Sequence, residues 1–341
     1  MLFYSNRDAE NRHILPYTKK IINNDTDAYH KHKDLVHIYD KKWVTESQGI
    51  KCGFMNEIPS MFPVFIKPYI NLKGGNLDCY IIENIDEFNK YSHRKDMFWT
   101  PLYKGDESST DFLVDKGNIL FQLTYSIEKL DDRILGMMTK ISLDNKCPEK
   151  IQKWVSTNLS NYSGPVNIQY MGDNIIEAGL RFDSGGNFIQ WTNNKTIIER
   201  INKFIDTGHW IHMKETELYF TPRYICGCYR NYPVIYYLPA PFVSAFVSLF
   251  NIENYNFYID VDKGGLKYLN LVDYDKEKIL FVKKIVEIIM NFMNIFILLL
   301  FSLFAVKIVY TYKLDFSLLL FITIIFLTRF INPPKYLRRV I

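Results

Sequence analysis

The chain has 341 residues, 48% of them hydrophobic, and a formal net charge of +4, so it is long enough for more than one average domain. No segment before the C-terminal tail concentrates Lys and Arg as a nucleic-acid binder would, which excludes nucleic acid as a partner. The five cysteines are scattered and form no CxxC pair. A typical zinc site is therefore excluded, and reduced thiols facing the cytosol are predicted.

The N-terminal segment, residues 1–60, gives few signals of its own. It begins MLFYSNRDAENRH, with polar and charged residues where a signal peptide needs an apolar core, so we do not expect a secreted chain. Three histidines, His30, His32 and His37, lie close together in this segment. A metal site is one interpretation, but unpaired histidines on a polar stretch are more often solvated, and we predict the second.

Between residues 116 and 164 the sequence predicts a strand and then a helix. Lys116, Gly117 and Asn118 are typical of a turn, and residues 119–124 are typical of a strand. The stretch CPEKIQKWVSTNLSNYSG, residues 147–164, predicts a helix with Pro148 in its first turn.

The next stretch, GPVNIQYMGDNIIEAGLRFDSGG at 164–186, predicts a β-hairpin. Its strands are expected at 165–171 and 175–182, with a three-residue turn that ends in Asn174, a residue type that tolerates the left-handed conformation. In that register Gln169 lies opposite Glu177, and Asn167 lies opposite Gly179. Alternation then places six apolar residues on a core face: Val166, Ile168, Tyr170, Ile176, Ala178 and Leu180.

The opposite face of this hairpin carries Asn167, Gln169, Glu177 and Arg181. A half-exposed sheet is the plain explanation, but it does not explain why an acid, an amide and an arginine share one face without lysine or threonine. A carboxylate beside an amide oxygen suits Mg²⁺, which takes few protein ligands and fills its shell from phosphate and water. Arginine would neutralise a phosphate there. The glycine pair at 185–186 would let backbone N–H groups approach that charge.

The C-terminal part of the sequence predicts a membrane hairpin. Residues 288–306, IIMNFMNIFILLLFSLFAV, carry no charge and match the roughly 20 residues that cross a bilayer. Residues 314–331 form a second apolar run, charged only near its ends. We therefore predict two transmembrane helices within 285–331 and a basic tail at 332–341. The alternative, a buried pair of core helices, would require a polar face that neither run has.

Flanking charges predict the orientation of that hairpin and make the lipid bilayer an expected partner. Lysines precede the first run, and lysine and arginine residues follow the second, so both termini and the soluble part are predicted on the cytoplasmic side. The abundance of Ile, Asn, Lys, Tyr and Phe is typical of an AT-rich genome, such as that of a large virus or a parasite. For a virus, the membrane would be the host's. The tyrosine-rich region 215–280 is unassigned and is expected to complete an α+β layer.

From residue 62 to about residue 187, the order of motifs resembles the ATP-grasp superfamily, in particular its carbamoyl-phosphate-synthetase-like members. The metal-binding end of that family has a Gly-x-x-Asn strand with an acid or amide, a turn, Glu-x-Asn-x-Arg and a Gly-Gly element. The matching residues here are Gly164, Asn167, Gln169, Glu177, Gly179, Arg181, Gly185 and Gly186. Gly179 departs from the pattern, because the family has Asn or Asp as the second metal ligand there.

The resemblance implies a fold and nucleotide-binding residues. The fold is α+β, an ATP-grasp core at 61–214 in which two α+β subdomains clasp ATP, after a reduced N-terminal segment and before the transmembrane hairpin. In FPVFIKPYINLKGGN, at 62–76, Lys67 would contact nucleotide phosphate. Lys73, Gly74 and Gly75 would form a flexible lid.

The segment 97–120 resembles the hinge strand of the family and the acidic strand that follows it. The residues that would line an adenine slot are Phe98, Trp99, Pro101 and Leu102. Glu107 and Asp111 match the acidic positions, of which Glu107 would contact ribose or support the site. Trp99 and Thr100 do not supply the acid that family members often carry at the start of the hinge.

The resemblance also implies a function, with ATP and Mg²⁺ as cofactors. ATP would phosphorylate a small-molecule carboxylate, and an amine or similar nucleophile would displace phosphate from the acyl-phosphate. In this scheme Gln169 and Glu177 hold Mg²⁺, and Arg181 is the catalytic residue that steadies the acyl-phosphate. The alternative is a catalytically degenerate, membrane-tethered nucleotide-binding or interaction module. A channel or transporter would need more spans than two. Family members are often dimers, so a homodimer is expected.

Overall fold

The computed structural model describes residues 15–72, 78–130, 137–230, 246–262 and 265–312. The chain divides into two compact units. The larger unit consists of Arg12–Glu128 and Thr139–Arg223, and the smaller unit consists of Met1–Asn11, Lys129–Met138 and Tyr224–Ile341. Both contain strands and helices, so the predicted α+β class is confirmed.

The larger unit begins with short helices. They are α1 (Asp25–Lys31), a 3₁₀ segment (Lys33–Tyr39) and α2 (Lys41–Glu46). Side chains cap both helices at their N-termini: Asn24 accepts from the backbone N–H of Asp27, and Asp40 accepts from those of Lys42 and Trp43. Such caps satisfy backbone donors that have no partner within the helix.

A small antiparallel sheet follows. Its elements are β1 (Gly53–Phe54), β2 (Val64–Pro68), β3 (Tyr80–Ile82), the helix α3 (Ile85–Tyr91) and β4 (Met97–Pro101). The strand order in this sheet is β1-β4-β2-β3. The core of this sheet is a separate cluster of buried residues: Met55, Val64, Ile66, Ile82, Phe88, Met97 and Trp99. Burying this many apolar side chains is what allows so short a sheet to form.

The larger sheet of this unit has the order β7-β6-β5-β8-β9. Its strands are β5 (Glu107–Asp115), β6 (Asn118–Lys129), β7 (Met137–Ile141), β8 (Ser163–Met171) and β9 (Asn174–Gly179). The strand predicted at 119–124 is thus confirmed and is longer than expected. The predicted helix is also confirmed as α4 (Glu149–Asn158), with Pro148 as its N-cap residue, but it ends at Asn158.

The predicted hairpin is β8 and β9, and its register is the predicted one at Gln169–Glu177 and Asn167–Gly179. Two details of the prediction were wrong. Met171 pairs with Asn174, so the turn has two residues rather than three. The register shifts between Gln169 and Tyr170, so Ile175 rather than Ile176 joins the core. The shift exists because one extra residue in β9 is left unpaired, as in a β-bulge.

One face of this sheet packs against α4 and the N-terminal helices. The buried cluster there includes Phe112, Val155, Val166, Ile168, Ala178 and Leu180. After β9 come a 3₁₀ turn (Asp183–Gly186), α5 (Asn187–Gln190), α6 (Lys195–Thr207) and α7 (Glu215–Leu218). In α6 the buried residues recur at helical spacing: Ile197, Ile198, Ile201 and Phe204. The face of the sheet that packs against α4 is therefore core.

The smaller unit contains strands from the region left unassigned by the sequence. They are β10 (Arg223–Arg230), β11 (Asn254–Asp262) and β12 (Gly265–Asp273), in the order β11-β12-β10, followed by α8 (Lys276–Tyr312). Its core includes Cys226, Cys228, Leu269, Leu271, Ile279 and Val282. The expectation that residues 215–280 complete an α+β layer stays a prediction.

The first predicted membrane span lies within α8, and the second, at 314–331, lies outside the described residues. Among the residues that the structure describes, no helix combines the length and apolarity that crossing a membrane requires.

Candidate functional site

Three strands of the larger sheet carry two rows of polar residues across one face. In the first row Ser109 on β5 lies opposite Gln169 on β8, which lies opposite Glu177 on β9. In the second row Asp111, Asn167 and Gly179 are aligned in the same way. Directly paired residues of neighbouring strands share a face of a sheet, so both rows face the same side. The polar face predicted for the hairpin thus extends onto β5.

Glu177 forms an ion pair with a lysine that the sequence had not indicated. Lys41 Nζ, at the start of α2, lies 2.8 Å from Glu177 Oε2, with side-chain exposures of 11% and 27%. Burial raises the pKa of Glu177, but the nearby charges of Lys41, Arg181 and Lys67 outweigh it and hold that pKa below its usual range. Glu177 is therefore ionised at neutral pH.

The position of Lys41 follows from the cap of α2. Asp40 accepts two backbone N–H bonds at the helix start, and the backbone N–H of Lys41 donates to the carbonyl of Tyr69 at 2.8 Å. These contacts fix Lys41 as the first helical residue. The capping aspartate followed by a lysine was the local signal, but only the fold shows that this lysine reaches a strand 136 residues away.

Lys67 on β2 meets the same strand. Its Nζ donates to the carbonyl of Ile176 at 2.8 Å and lies 5.8 Å from the ring centroid of Phe98. Burial, together with the charge of Lys41, lowers the pKa of Lys67 to about 8. Two cationic side chains from different elements therefore converge on adjacent residues of β9, 176 and 177.

The two aromatic residues predicted to line an adenine slot, Phe98 and Trp99, lie in different surroundings. Phe98 lies opposite Lys67 in the β2–β4 pairing and is buried beside it. Trp99 belongs to the core cluster of the small sheet, where its Nε1 donates to the carbonyl of Glu57. Leu102 is half-buried. Only Phe98 of the two aromatic residues lies beside the lysine.

Arg181, just after β9, forms a bidentate ion pair with Asp25 of α1. Its Nε donates to Asp25 Oδ1 at 2.9 Å and its Nη2 donates to Asp25 Oδ2 at 2.6 Å, while Nη1 donates to the carbonyl of Phe182 at 3.1 Å. Burial disfavours the charged guanidinium, but Asp25 and Asp183 outweigh that effect and raise the pKa of Arg181. The predicted catalytic residue is thus a fixed, mostly buried cation.

A network of buried acids lies behind this pair. Asp111 accepts from Tyr125 Oη, from Asn167 Nδ2 at 2.9 Å and from the backbone N–H of Asp183 at 2.7 Å. Burial and the charge of Asp183 raise the pKa of Asp111 to about 7. Burial, Asp183 and Glu177 also raise the pKa of Glu107. Asp111 therefore orders the start of the turn after β9.

The two glycines of the turn after β9 leave space that residues of the N-terminal segment fill. A Cβ atom at Gly186 would lie 2.3 Å from a ring carbon of Tyr17, and one at Gly185 would lie 3.3 Å from the backbone oxygen of Asn23. Other residues of the chain thus fill the side-chain space beside these glycines, and the approach of their backbone N–H groups to a phosphate stays a prediction.

The predicted lid residues, Lys73, Gly74 and Gly75, lie outside the described residues. Within the described ranges, no group of three or more His, Cys, Asp or Glu side chains is arranged to hold a metal ion. The three N-terminal histidines thus form no such group. A cation on the polar face would have to combine Glu177 with the amide of Gln169 and with oxygens that the protein does not supply.

Two solved structures resemble this chain along most of its length. Carboxyaminoimidazole ribonucleotide synthase from Aspergillus clavatus, complexed with ATP, has a TM-score of 0.50 and 12% identity, over 76% of this chain and 79% of that one. Phosphoribosylamine–glycine ligase from Thermotoga maritima has a TM-score of 0.50 and 13% identity, over 79% and 85%.

No protein-family model matches the sequence, and no curated protein matches it. At identities this low the two structures show the fold alone. Both are ATP-grasp ligases, and the resemblance predicted from the motifs is confirmed at that level. The chain has the ATP-grasp fold.

Proposed function

We propose that this protein is an ATP- and Mg²⁺-dependent ligase that activates a small-molecule carboxylate and forms ADP. One observation carries the proposal: Lys41 and Lys67 converge on residues 176 and 177 of β9, beside an ionised Glu177. Two cations from different elements that meet one anion of the hairpin form a charge pattern suited to a metal-bound polyphosphate. A plain structural ion pair would need one lysine, not two.

The residues of the polar face fit a magnesium ion. Glu177 offers a carboxylate, and Gln169, directly opposite it, offers an amide oxygen. Mg²⁺ prefers oxygen ligands and usually keeps one or two protein carboxylates together with waters and phosphates. When bound, such an ion supplies neutralisation of phosphate charge.

The lysines would hold the phosphates. Lys67, with a pKa of about 8, is mostly protonated at neutral pH, and its carbonyl partner can be exchanged for a phosphate oxygen without leaving a buried charge unpaired. Lys41 neutralises Glu177 when no nucleotide is bound. Both lie on elements packed into the body, so the charges are pre-positioned.

Arg181 would face the anionic end of the nucleotide and steady the acyl-phosphate formed from the substrate. An amine or a similar nucleophile would then attack the acyl carbon and release phosphate. The guanidinium is already fixed by Asp25 and the Phe182 carbonyl. Of the two solved structures that resemble this chain, one is named a synthase and the other a ligase, which supports this reaction class for a chain of the same fold.

The test is calorimetric titration of the full chain with ATP, with and without Mg²⁺, beside Glu177→Ala and the exposed control Glu199→Ala. We expect Mg²⁺-dependent binding by the wild type and by the control, and its loss in Glu177→Ala. ADP release is then screened with pairs of carboxylates and amines. Absence of ATP binding by folded wild-type protein would contradict the proposal.

A second candidate is a degenerate module that binds nucleotide without catalysis. It is favoured by Gly179, which offers no ligand side chain in the second polar row, and by the pairing of Arg181 with Asp25. The two candidates differ in one outcome. The module would bind MgATP but release no ADP with any carboxylate and amine pair.

Membrane attachment and dimer formation are separate proposals. We base the first on the uncharged run 288–306 and the second apolar run 314–331 in the sequence, with both termini in the cytoplasm. Extraction of membranes with alkaline carbonate tests it, since an integral protein stays in the pellet and a peripheral one is released. Analytical ultracentrifugation in detergent tests for a homodimer.

A further inference from the structure

Position 179 lacks a side chain in the row that Asp111 and Asn167 form across the sheet. The backbone there does not require glycine, because Gly179 is absent from the residues with positive φ. The surroundings do require it. A Cβ at Gly179 would lie 2.9 Å from Asp25 Oδ1, closer than real Cβ contacts come. The space that a side chain of residue 179 would fill is occupied by a carboxylate from α1.

That carboxylate is held firmly. Asp25 lies in the first turn of α1, which Asn24 caps. Its carboxylate accepts hydrogen bonds from both Nε and Nη2 of Arg181, and both side chains are 14% exposed. A bidentate pair fixes the plane of the guanidinium as well as its distance. The third guanidinium nitrogen donates to the Phe182 carbonyl. Arg181 is thus oriented through all its nitrogens.

The contact between Gly179 and Asp25 is one of three between glycines after Glu177 and the N-terminal segment 17–25. Three glycines after Glu177 each admit one residue of the segment 17–25: Gly186 admits Tyr17, Gly185 admits Asn23 and Gly179 admits Asp25. The segment is tied at its start as well, since the Thr18 N–H donates to Asn202 of α6 at 2.9 Å. The N-terminal segment therefore forms one wall of the polar face.

We propose that Asp25 is a positioning residue of this site. From α1 it supplies the carboxylate for which β9 offers only Gly179, and it holds Arg181 toward the terminal phosphate of the nucleotide. The inference rests on the proposed function. It also assigns a role to a segment that the sequence left without one.

Titration of the full chain with MgATP and with MgADP tests this role. Asp25→Asn keeps the shape of the side chain and removes its charge, so we expect MgATP affinity to fall about tenfold or more, as when one charge-assisted contact is lost. MgADP, which lacks the terminal phosphate, should bind as to wild type. Asp27→Asn, an exposed acid on the same helix whose side chain contacts Asn24, is the matched control.

A swapped pair separates positioning from folding. Asp25→Ala combined with Gly179→Asp returns a carboxylate to the same space from the strand, and should restore MgATP affinity to within about threefold of wild type. Gly179→Ala should lower the thermal midpoint in the wild-type background and not in the Asp25→Ala background.

The outcomes are distinguishable. Wild-type protein that binds no MgATP contradicts the proposed function. Wild-type protein that binds, with Asp25→Asn binding MgATP equally well, overturns this inference alone. A folded swapped variant that stays weak also overturns it, because the carboxylate would then matter for something other than the position of Arg181.

Discussion

The hairpin β8–β9 and the N-terminal segment 17–46 form the same site, but they obey different rules. In the hairpin, the identity of each residue is set by its neighbours two positions away and directly across the strand, so alternation places Gln169 opposite Glu177. In the N-terminal segment, Asp25 and Lys41 matter only because they meet residues 156 and 136 positions away. Residues of one candidate site can therefore be positioned by local pattern on the hairpin and by long-range contacts on the N-terminal segment.

The largest expected effect comes from breaking the contact between the two walls. Arg181→Met leaves Asp25 as a buried, unpaired carboxylate, so the free energy of unfolding should fall by about 3–5 kcal/mol in urea titrations. The exposed pair Lys20–Asp206 joins the same segment to α6. Lys20→Ala should change stability by less than about 1 kcal/mol. Equal effects of the two variants would mean that the Arg181 pair is not buried as described.

Two alanine variants at glycines test whether the N-terminal segment packs against the turn after β9. Gly186 and Gly49 both have positive φ, at 85° and 74°, but a Cβ at Gly49 meets nothing within 4 Å, whereas one at Gly186 meets Tyr17. Both alanine variants are destabilised by the positive φ at their position. Gly186→Ala should lower the free energy of unfolding by about 1–3 kcal/mol more than Gly49→Ala does, because its Cβ would also overpack against Tyr17. Chemical denaturation measures both, and equal losses would show that Tyr17 is not seated there.

The buried carboxylate of Asp111 on β5 leads us to expect a pH dependence of the free energy of unfolding. The folded pKa of Asp111, about 7, lies above the usual aspartate value, so the folded state binds more protons than the unfolded state between those two pH values. Stability contributed by this group is present at low pH and is lost as pH rises toward 7, with a slope of at most about 1.4 kcal/mol per unit.

Urea titrations at several pH values measure this slope. Asp111→Asn should reduce it, and the exposed control Asp86→Asn should leave it unchanged. A wild-type profile without the slope would mean that Asp111 is ionised throughout the range.

A smaller effect is expected on nucleotide binding. Because Lys67 has a pKa of about 8, its positive charge is lost as pH rises through that value, and MgATP affinity should weaken between pH 7 and 9. Neutralising one phosphate contact corresponds to a loss of about tenfold. Lys67→Arg stays charged in this range and should flatten the profile. A wild-type profile that is flat as well would place Lys67 outside the phosphate contacts.

Much of the fold was predictable because its signals are local. The hairpin register, the strand at β6 and the helix α4 follow from alternation, helical spacing and a proline at the helix start. The turn was misjudged because a one-residue shift beside Gln169 depends on packing of Ile175 in the core, which no short-range pattern shows.

Of the candidate site, the sequence indicated only the residues that lie on strands. Glu177, Gln169 and Lys67 were identified from their motifs, whereas Lys41 and Asp25 lie in short helices whose partners are set by tertiary contacts. The contact of Gly186 with Tyr17 is likewise set by tertiary structure. Glycine permits close approach of another group, but the sequence does not say whether that group is a phosphate or Tyr17.

MgATP titration of Lys41→Met beside Lys42→Met tests whether Lys41 holds a phosphate over the hairpin. The two lysines are adjacent, but Lys41 pairs with Glu177 whereas Lys42 pairs with Glu46 on its own helix. If Lys41 and Lys67 hold phosphates over the hairpin, Lys41→Met loses affinity by about tenfold or more, and Lys42→Met binds as wild type. Wild-type affinity in folded Lys41→Met would contradict the account.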